Sequence, residues 1–276
     1  MSATNNSVSS VDDRCPLTTF STLDNLFEKL ETTTSQGLIV DQVSRQTYES
    51  ICAKRAERRR RYRFFLYLGQ IQDLIITMPN PCHDAASRHL DLVIARKINA
   101  MGLSGEWLHE DSITYLERFN GDLLSSGEAN LAGRPRLLRP SILHDWPTIV
   151  VDFGPSNSMP LLRNKADWWF RASRHEVRLV LLFEVNTSTG NITIEQWRAG
   201  PRRVQKVLIR RVIDASGTIP VASYEVFRGP LWLNFRSLFL RPPRRGSGEM
   251  DVVIGNNELQ RLAKATWRAE RLIGGA

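Results

Sequence analysis

Apolar residues recur every three to four positions in five stretches of the chain and alternate or run together in nine others, so helices and strands interleave. Leu23, Leu26, Phe27 and Leu30 form one stripe, predicting a short helix capped by Ser21. A second helix is expected from about Ser44 toward Arg60, and a hairpin from Tyr62–Leu68 and Asp73–Met78, two aromatic and β-branched runs. Ala86, Leu90, Val93, Ile94, Ile98 and Met101 share one face of a helix over Cys82–Met101, which stops at Gly102. Ser112–Phe119 alternates as a half-exposed strand, and the Gly, Ser, Pro and Arg-rich Asn120–Pro140 reads as irregular. The middle is the best patterned: strand Thr148–Phe153, amphipathic helix Ser158–Ala172, nearly all-apolar strand Val177–Val185, strand Ile192–Trp197. A β-α-β crossover onto a strand apolar on both faces predicts a central parallel pair covered by helices. Val204–Ile213, Val221–Phe227 and Leu231–Leu240 are expected strands, and Asn256–Ile273 a closing helix.

These periods predict an α/β fold on the border of α+β, with a mixed central sheet flanked by helices. The expected division is a tail over 1–17, helices over 18–60, an α/β core over 61–200, and a strand-rich extension with a C-terminal helix over 201–276. The tail is rich in Ser, Thr and Asn and offers too few large apolar side chains to offset the entropy of ordering. With 276 residues, 42% apolar, the chain can bury a sizeable core. No window approaches the apolar length of a membrane span, and MSATNNSVSSVDDR lacks a signal-peptide layout. Cys15, Cys52 and Cys82 are scattered, which predicts neither a disulfide framework nor a structural zinc site. An intracellular location, cytoplasmic or nuclear, is the expectation, with no membrane partner.

Charge changes the picture by its distribution. The net value is +8 and the pI about 9.8. Residues 51–80 carry seven basic and two acidic groups and residues 198–245 eleven and two, flanking a middle of twelve and fourteen over 81–197. That layout suits a polyanion such as DNA or RNA approaching a site with its own carboxylates, and it equally suits a solvated basic surface. The run through Arg58, Arg59, Arg60 and Arg61 is a nucleic-acid contact, a nuclear import signal, or cations at the helix end that the macrodipole favours. Arg202 and Arg203, like Arg210 with Arg211 and Arg244 with Arg245, are candidate phosphate clamps or surface charge.

Several chemistries lack their motifs. There is no Gly-x-Ser-x-Gly elbow, no phosphate-binding Gly-x-x-x-x-Gly-Lys loop and no dinucleotide turn, and the five histidines form no ligand pair. What remains is Trp146-Pro147, the apolar strand ending at Asp152-Phe153-Gly154, the segment Leu162-Arg163-Asn164-Lys165-Ala166-Asp167-Trp168-Trp169, and Val177-Arg178-Leu179-Val180-Leu181-Leu182. This order resembles a widespread family of fungal proteins with the same Trp-Pro, carboxylate-ended strand, Leu-Arg-x-Lys-x-x-Trp-Trp helix and Val-Lys-Ile-Val-Leu-Leu strand. That family is identified with the restriction-endonuclease-like superfamily, PD-(D/E)XK. The resemblance spans roughly residues 60 to 200 and is most specific over 146–197.

The resemblance implies an α-β-β-β-α-β core in which one strand supplies an Asp and the next an acidic residue and a Lys two positions apart. Residues i and i+2 of a strand share a face, so a Mg²⁺ ligand and a Lys would converge on one phosphate. Asp152 takes the second acidic place, beside Val150 and Gly154 and opposite Ile149, Val151 and Phe153. Gly154 stands in the Lys place, and Lys165 matches a lysine of the following helix. The first acidic place falls at Glu128-Ala129-Asn130, where Asn130 offers only a carbonyl oxygen unless Glu128 substitutes. Glu195 is a further candidate carboxylate or an exposed sheet residue. Ordinary structural roles compete throughout: Asp152 as a cap for the helix near Ser158, Lys165 as a solvated helix residue, and Trp168-Trp169 as core packing plus a half-exposed partner rather than a base-stacking platform. Two functions follow. One is a Mg²⁺-dependent nuclease, with Asp152 and Lys165 catalytic and Glu128, Asn130 and Asp152 as metal ligands. The other is a non-catalytic module that keeps the fold and binds nucleic acid or protein; a dimer is a candidate assembly for either.

Overall fold

The computed structural model describes residues 15–58, 62–78, 80–111, 113–141, 145–200, 204–212 and 223–274, with side chains to 269. In chain order its elements are β1 (Leu17–Thr19), α1 (Leu23–Thr32), β2 (Gly37–Asp41), α2 (Arg45–Glu57), β3 (Arg63–Leu68), β4 (Asp73–Thr77), α3 (Pro81–Ala100), β5 (Trp107–Glu110), β6 (Thr114–Phe119), β7 (Asp122–Glu128), β8 (Leu131–Pro135), β9 (Ile149–Pro155), α4 (Met159–Ala172), β10 (Leu179–Asn186), β11 (Asn191–Arg198), β12 (Gln205–Val212), β13 (Ser223–Phe227), β14 (Leu231–Leu233), α5 (Phe235–Phe239), β15 (Val252–Ile254) and α6 (Asn256–Gly274). Among the described residues no helix is long and apolar enough to cross a membrane.

These elements form two compact units: the described residues of Met1–Pro79 with Thr114–Glu128, and those of Asn80–Ile113 with Ala129–Ala276. The expected single core over 61–200 does not follow this division. The β3–β4 hairpin buries Phe64, Tyr67, Leu74 and Ile76 in one cluster with Leu26, Phe27 and Leu30 of α1, so it belongs with the N-terminal helices. Likewise β12 to β15 and α6 belong with the strand that carries Asp152.

The first unit is a six-stranded sheet ordered β1-β2-β4-β3-β7-β6, in which β1 and β2 run parallel and the other pairs antiparallel. Its helix α1 is capped by Thr22, whose hydroxyl accepts the Asn25 N–H at 3.2 Å, rather than by Ser21. The second helix starts where it is expected, and Ser44 caps α2, accepting from Thr47 N–H at 3.1 Å.

The second unit is a seven-stranded sheet ordered β13-β12-β11-β10-β9-β8-β5. The β9–β10 pair is parallel across the α4 crossover, as the run of apolar residues predicts, and the other neighbours are antiparallel. Its order α3, β5, β8, β9, α4, β10 is the α-β-β-β-α-β arrangement that the resemblance implies, with the β6–β7 hairpin of the first unit inserted between β5 and β8. Strand alternation divides the layers. Ile149, Val151 and Phe153 of β9 pack with Leu90 and Ile94 of α3 and Leu262 of α6, while the alternate positions Val150, Asp152 and Gly154 face α4. Each such fully buried Val, Leu, Ile or Phe contributes about 1.5–3 kcal/mol.

Two further expectations change. Asn120–Pro140 holds two strands, β7 and β8, each hydrogen-bonded on both sides, β7 by β3 and β6 and β8 by β5 and β9. A doubly paired backbone tolerates weak strand formers, and Gly133 is required because a Cβ there would run into the Trp107 ring. Leu231–Leu240 is not one strand: after β14, Asn234 accepts from the Ser237 N–H at 3.2 Å and starts α5, which buries Phe235, Leu238 and Phe239 at helical spacing.

Candidate active site

Asp152 stands in the middle of β9 with no solvent exposure. Lys165 and Trp169 are four residues apart on α4, so both side chains reach the same carboxylate: Lys165 Nζ lies 2.9 Å from Oδ1 and Trp169 Nε1 donates to Oδ2 at 2.8 Å. Both side chains are fully buried. The ring of Trp168 meets that of Trp169 edge-on at 4.7 Å, and Trp146 stands edge-on to Trp169 at 6.1 Å, walling the ion pair with aromatic carbon. Asp152 is therefore not a helix cap, Lys165 is not a solvated residue, and Trp168 and Trp169 are both core, neither of them half-exposed.

The α4 cap comes from elsewhere. Glu184 of β10 accepts the Met159 N–H at 2.8 Å, while Ser158 turns its hydroxyl to the Pro155 carbonyl. Nothing in the sequence around Glu184 marks this role, since it depends on the parallel strand returning beside the helix start. Gly154, in the expected lysine place, is closed to any side chain: a Cβ there would meet Ser158 Oγ and lie 3.1 Å from Leu162 Cδ1. The cation beside Asp152 comes from α4 because the strand position has no room for one.

Asn130 precedes β8 and extends its pairing with β9, donating its N–H to the Val151 carbonyl at 3.1 Å. Its side-chain oxygen accepts the Phe153 N–H at 3.0 Å, so the carbonyl expected to meet a cation meets a backbone donor. Along the sheet register, Asp152 aligns with Leu182, Leu182 with Glu195, and Glu195 with Lys206, which puts Glu195 on the Asp152 face. Glu195 is 1% exposed, so it is not a solvent-facing sheet residue. Arg163 of α4 binds it with both arms, Nη2 to Oε1 at 2.6 Å and Nε to Oε2 at 2.9 Å; Trp197 Nε1 donates at 3.1 Å and Lys206 Nζ lies 3.2 Å away.

Burial pushes the Glu195 carboxyl upward, but the donors Arg163, Trp197 and Lys206 outweigh it and hold it below the ordinary 4.5. A depressed carboxylate contributes stability that is present above the unfolded value and lost as pH falls through the folded one. Wild-type stability should thus fall with acid below 4.5, and Glu195→Gln should flatten that decline. Urea midpoints measured across that range check it; parallel curves for the two proteins would refute it.

Glu128 lies in the first unit, 3% exposed, where three donors engage it: Arg55 Nη2 at 2.6 Å, Thr114 Oγ1 at 2.7 Å and the Phe64 N–H at 3.1 Å. Arg58 is engaged as well, 3.1 Å from Glu31 and stacked over Phe27 at 4.7 Å. Arg59, Arg60, Arg61, Arg202 and Arg203 lie outside the described residues. Among the described residues no group of three or more His, Cys, Asp or Glu is arranged to hold a metal ion. Mg²⁺ needs near-octahedral oxygen ligands and keeps several waters. A dry carboxylate with both oxygens engaged, beside an amide oxygen already accepting a backbone N–H, does not fit it.

No family model matches the sequence, and no curated protein matches it. Among solved structures the chain is similar to a crystal structure of a candidate nuclease of the DUF820 group from Anabaena variabilis. The identity is 13% and the TM-score 0.39, over 72% of this chain and 90% of that one. The fold assignment rests on the element order and strand register given above.

Proposed function

We propose that this chain is a nuclease-fold module that binds nucleic acid without cutting it. The observation that carries this reading is the closed triad of Asp152, Lys165 and Trp169. Hydrolysis by the metal-assisted route needs a carboxylate open to a cation and to water, and this one gives its two oxygens to Lys165 and Trp169 in a site without solvent. The net charge of +8, concentrated in 51–80 and 198–245, supports a polyanionic partner.

Calorimetric titration of Mg²⁺ and Mn²⁺ into wild-type protein and Asp152→Asn tests the first half. Neither protein should give saturable heat, and neither should cleave DNA or RNA. Saturable binding and cleavage in the wild type, both lost in the variant, would overturn the reading in favour of an active nuclease. The second half predicts oligonucleotide binding that weakens steeply with salt as counterions are released; absence of binding at low salt would overturn it.

A further inference from the structure

Five arginines of the second unit gather toward one end of its sheet. Leu179, which opens β10, pairs with Arg198, which closes β11; Gln196 pairs with Gln205, which opens β12; and β13 runs in the direction of that end, stopping at Phe227 opposite Leu208. The α4–β10 connection lies here too, because Arg178 N–H donates to Thr148 O and Ala199 N–H to Arg178 O, at 2.9 and 3.0 Å. Arg228 follows β13 and is tied back toward this end, its carbonyl accepting from Gln205 Nε2 at 3.1 Å. Topology thus gathers Arg171, Arg174, Arg178, Arg198 and Arg228 at one edge, all exposed except the half-buried Arg198. The carboxylates nearby are fewer. Glu176 faces Arg139 at 3.6 Å, Asp145 accepts the Ser141 N–H at 2.7 Å, and Asp167 stands a turn before Arg171 on α4.

Two further observations fall on the same edge. Arg174, His175 and Arg228 have φ of 50°, 63° and 60°. Left-handed positions suit glycine, because a Cβ crowds the neighbouring carbonyl. Arg174 follows the Ser173 cap of α4, where the His175 N–H reaches back to Phe170 O at 2.7 Å, a helix terminus that glycine would satisfy with less strain. Strain retained at a side-chain-bearing residue points to use of that side chain. Trp232 is the second: its β14 neighbours Leu231 and Leu233 are fully buried, but the indole is 48% exposed, and its carbonyl accepts Arg198 Nη2 at 3.3 Å.

We infer that this edge is where a single-stranded nucleic acid binds, with Arg171, Arg174, Arg178, Arg198 and Arg228 taking phosphates and Trp232 stacking on a base. The inference rests on the nucleic-acid reading above and gives it a surface. Guanidinium groups around an exposed aromatic are the recognition chemistry of unpaired strands, since every base offers a π face and every nucleotide a phosphate.

The test is fluorescence anisotropy with a labelled oligothymidylate, across a salt series. R174E/R178E should weaken binding by roughly tenfold or more and lower the salt slope by about 1.4, two phosphates on a single strand. Trp232→Ala should weaken it by about tenfold. R88E/R96E makes the same charge change at exposed positions of α3 and should stay close to wild type. Wild-type binding with R174E/R178E indistinguishable from R88E/R96E would overturn this surface and leave the broader reading standing. No wild-type binding would overturn the broader reading itself. Arg174→Gly separates contact from architecture: affinity should fall while the melting temperature holds or rises. A fall in both would make Arg174 structural and remove it from the contact.

Discussion

Replacing Asp152 by alanine should destabilise the second unit by about 3–5 kcal/mol, the range for removing one partner of a buried ion pair. The loss has two sources. The Lys165 ammonium would be left without its carboxylate where exposure is zero, and the Trp169 indole N–H would lose its acceptor among aromatic rings. Lys165→Met should cost a similar amount through the stranded carboxylate, whereas D152L/K165M, which removes both charges and restores apolar volume, should recover most of the loss. Urea unfolding of the four proteins measures this. The contrast with a working acidic site is sharp, because residues held for catalysis commonly cost stability and their removal often raises it. A cost below about 1 kcal/mol for Asp152→Ala would show that the pair is not what holds α4 on the sheet.

Glu128→Ala should destabilise the first unit by about 2–4 kcal/mol. Its carboxylate joins three elements, accepting from Arg55 of α2, the Phe64 N–H of β3 and Thr114 of β6. Arg55 also lies over the Phe64 ring at 3.8 Å, so losing the carboxylate frees a cation that helps cover the hairpin. Glu128→Gln keeps an acceptor for the backbone donor and should cost less. Amide exchange should quicken in β3, β6 and β7 in the alanine variant, with β9 and β10 unchanged. A stable variant with altered cation affinity would instead restore Glu128 to the role of a ligand.

Helix α3 was legible because its apolar residues keep one face from Ala86 to Ile98 and Gly102 follows, with φ of 75°. The parallel β9–β10 pair was legible because a strand apolar on both faces has to be covered on both. The local pattern also placed the start of the second helix near Ser44 and, by alternation alone, put Asp152 on the Val150 and Gly154 face. Strands β7 and β8 were hidden because their residues earn strand geometry from neighbours on both sides, not from their own propensity. The division into two units was hidden for a related reason: Thr114–Glu128 leaves the second unit's chain path to complete the first unit's sheet.

The sequence by itself determined the five longer helices, the central crossover and the set of residues in which chemistry was to be sought: Asp152, Lys165, Glu128, Asn130 and Glu195. Only the tertiary structure decided what those residues do. A motif fixes which side chains share a strand face, but not how many donors arrive from elements distant in the chain. For Asp152 the donors come from α4, for Asn130 from β9, for Glu195 from α4, β11 and β12, and for Glu128 from α2, β3 and β6 of its own unit. A carboxylate becomes a metal ligand or a structural anchor according to whether its oxygens and its access to water remain free, and packing sets both.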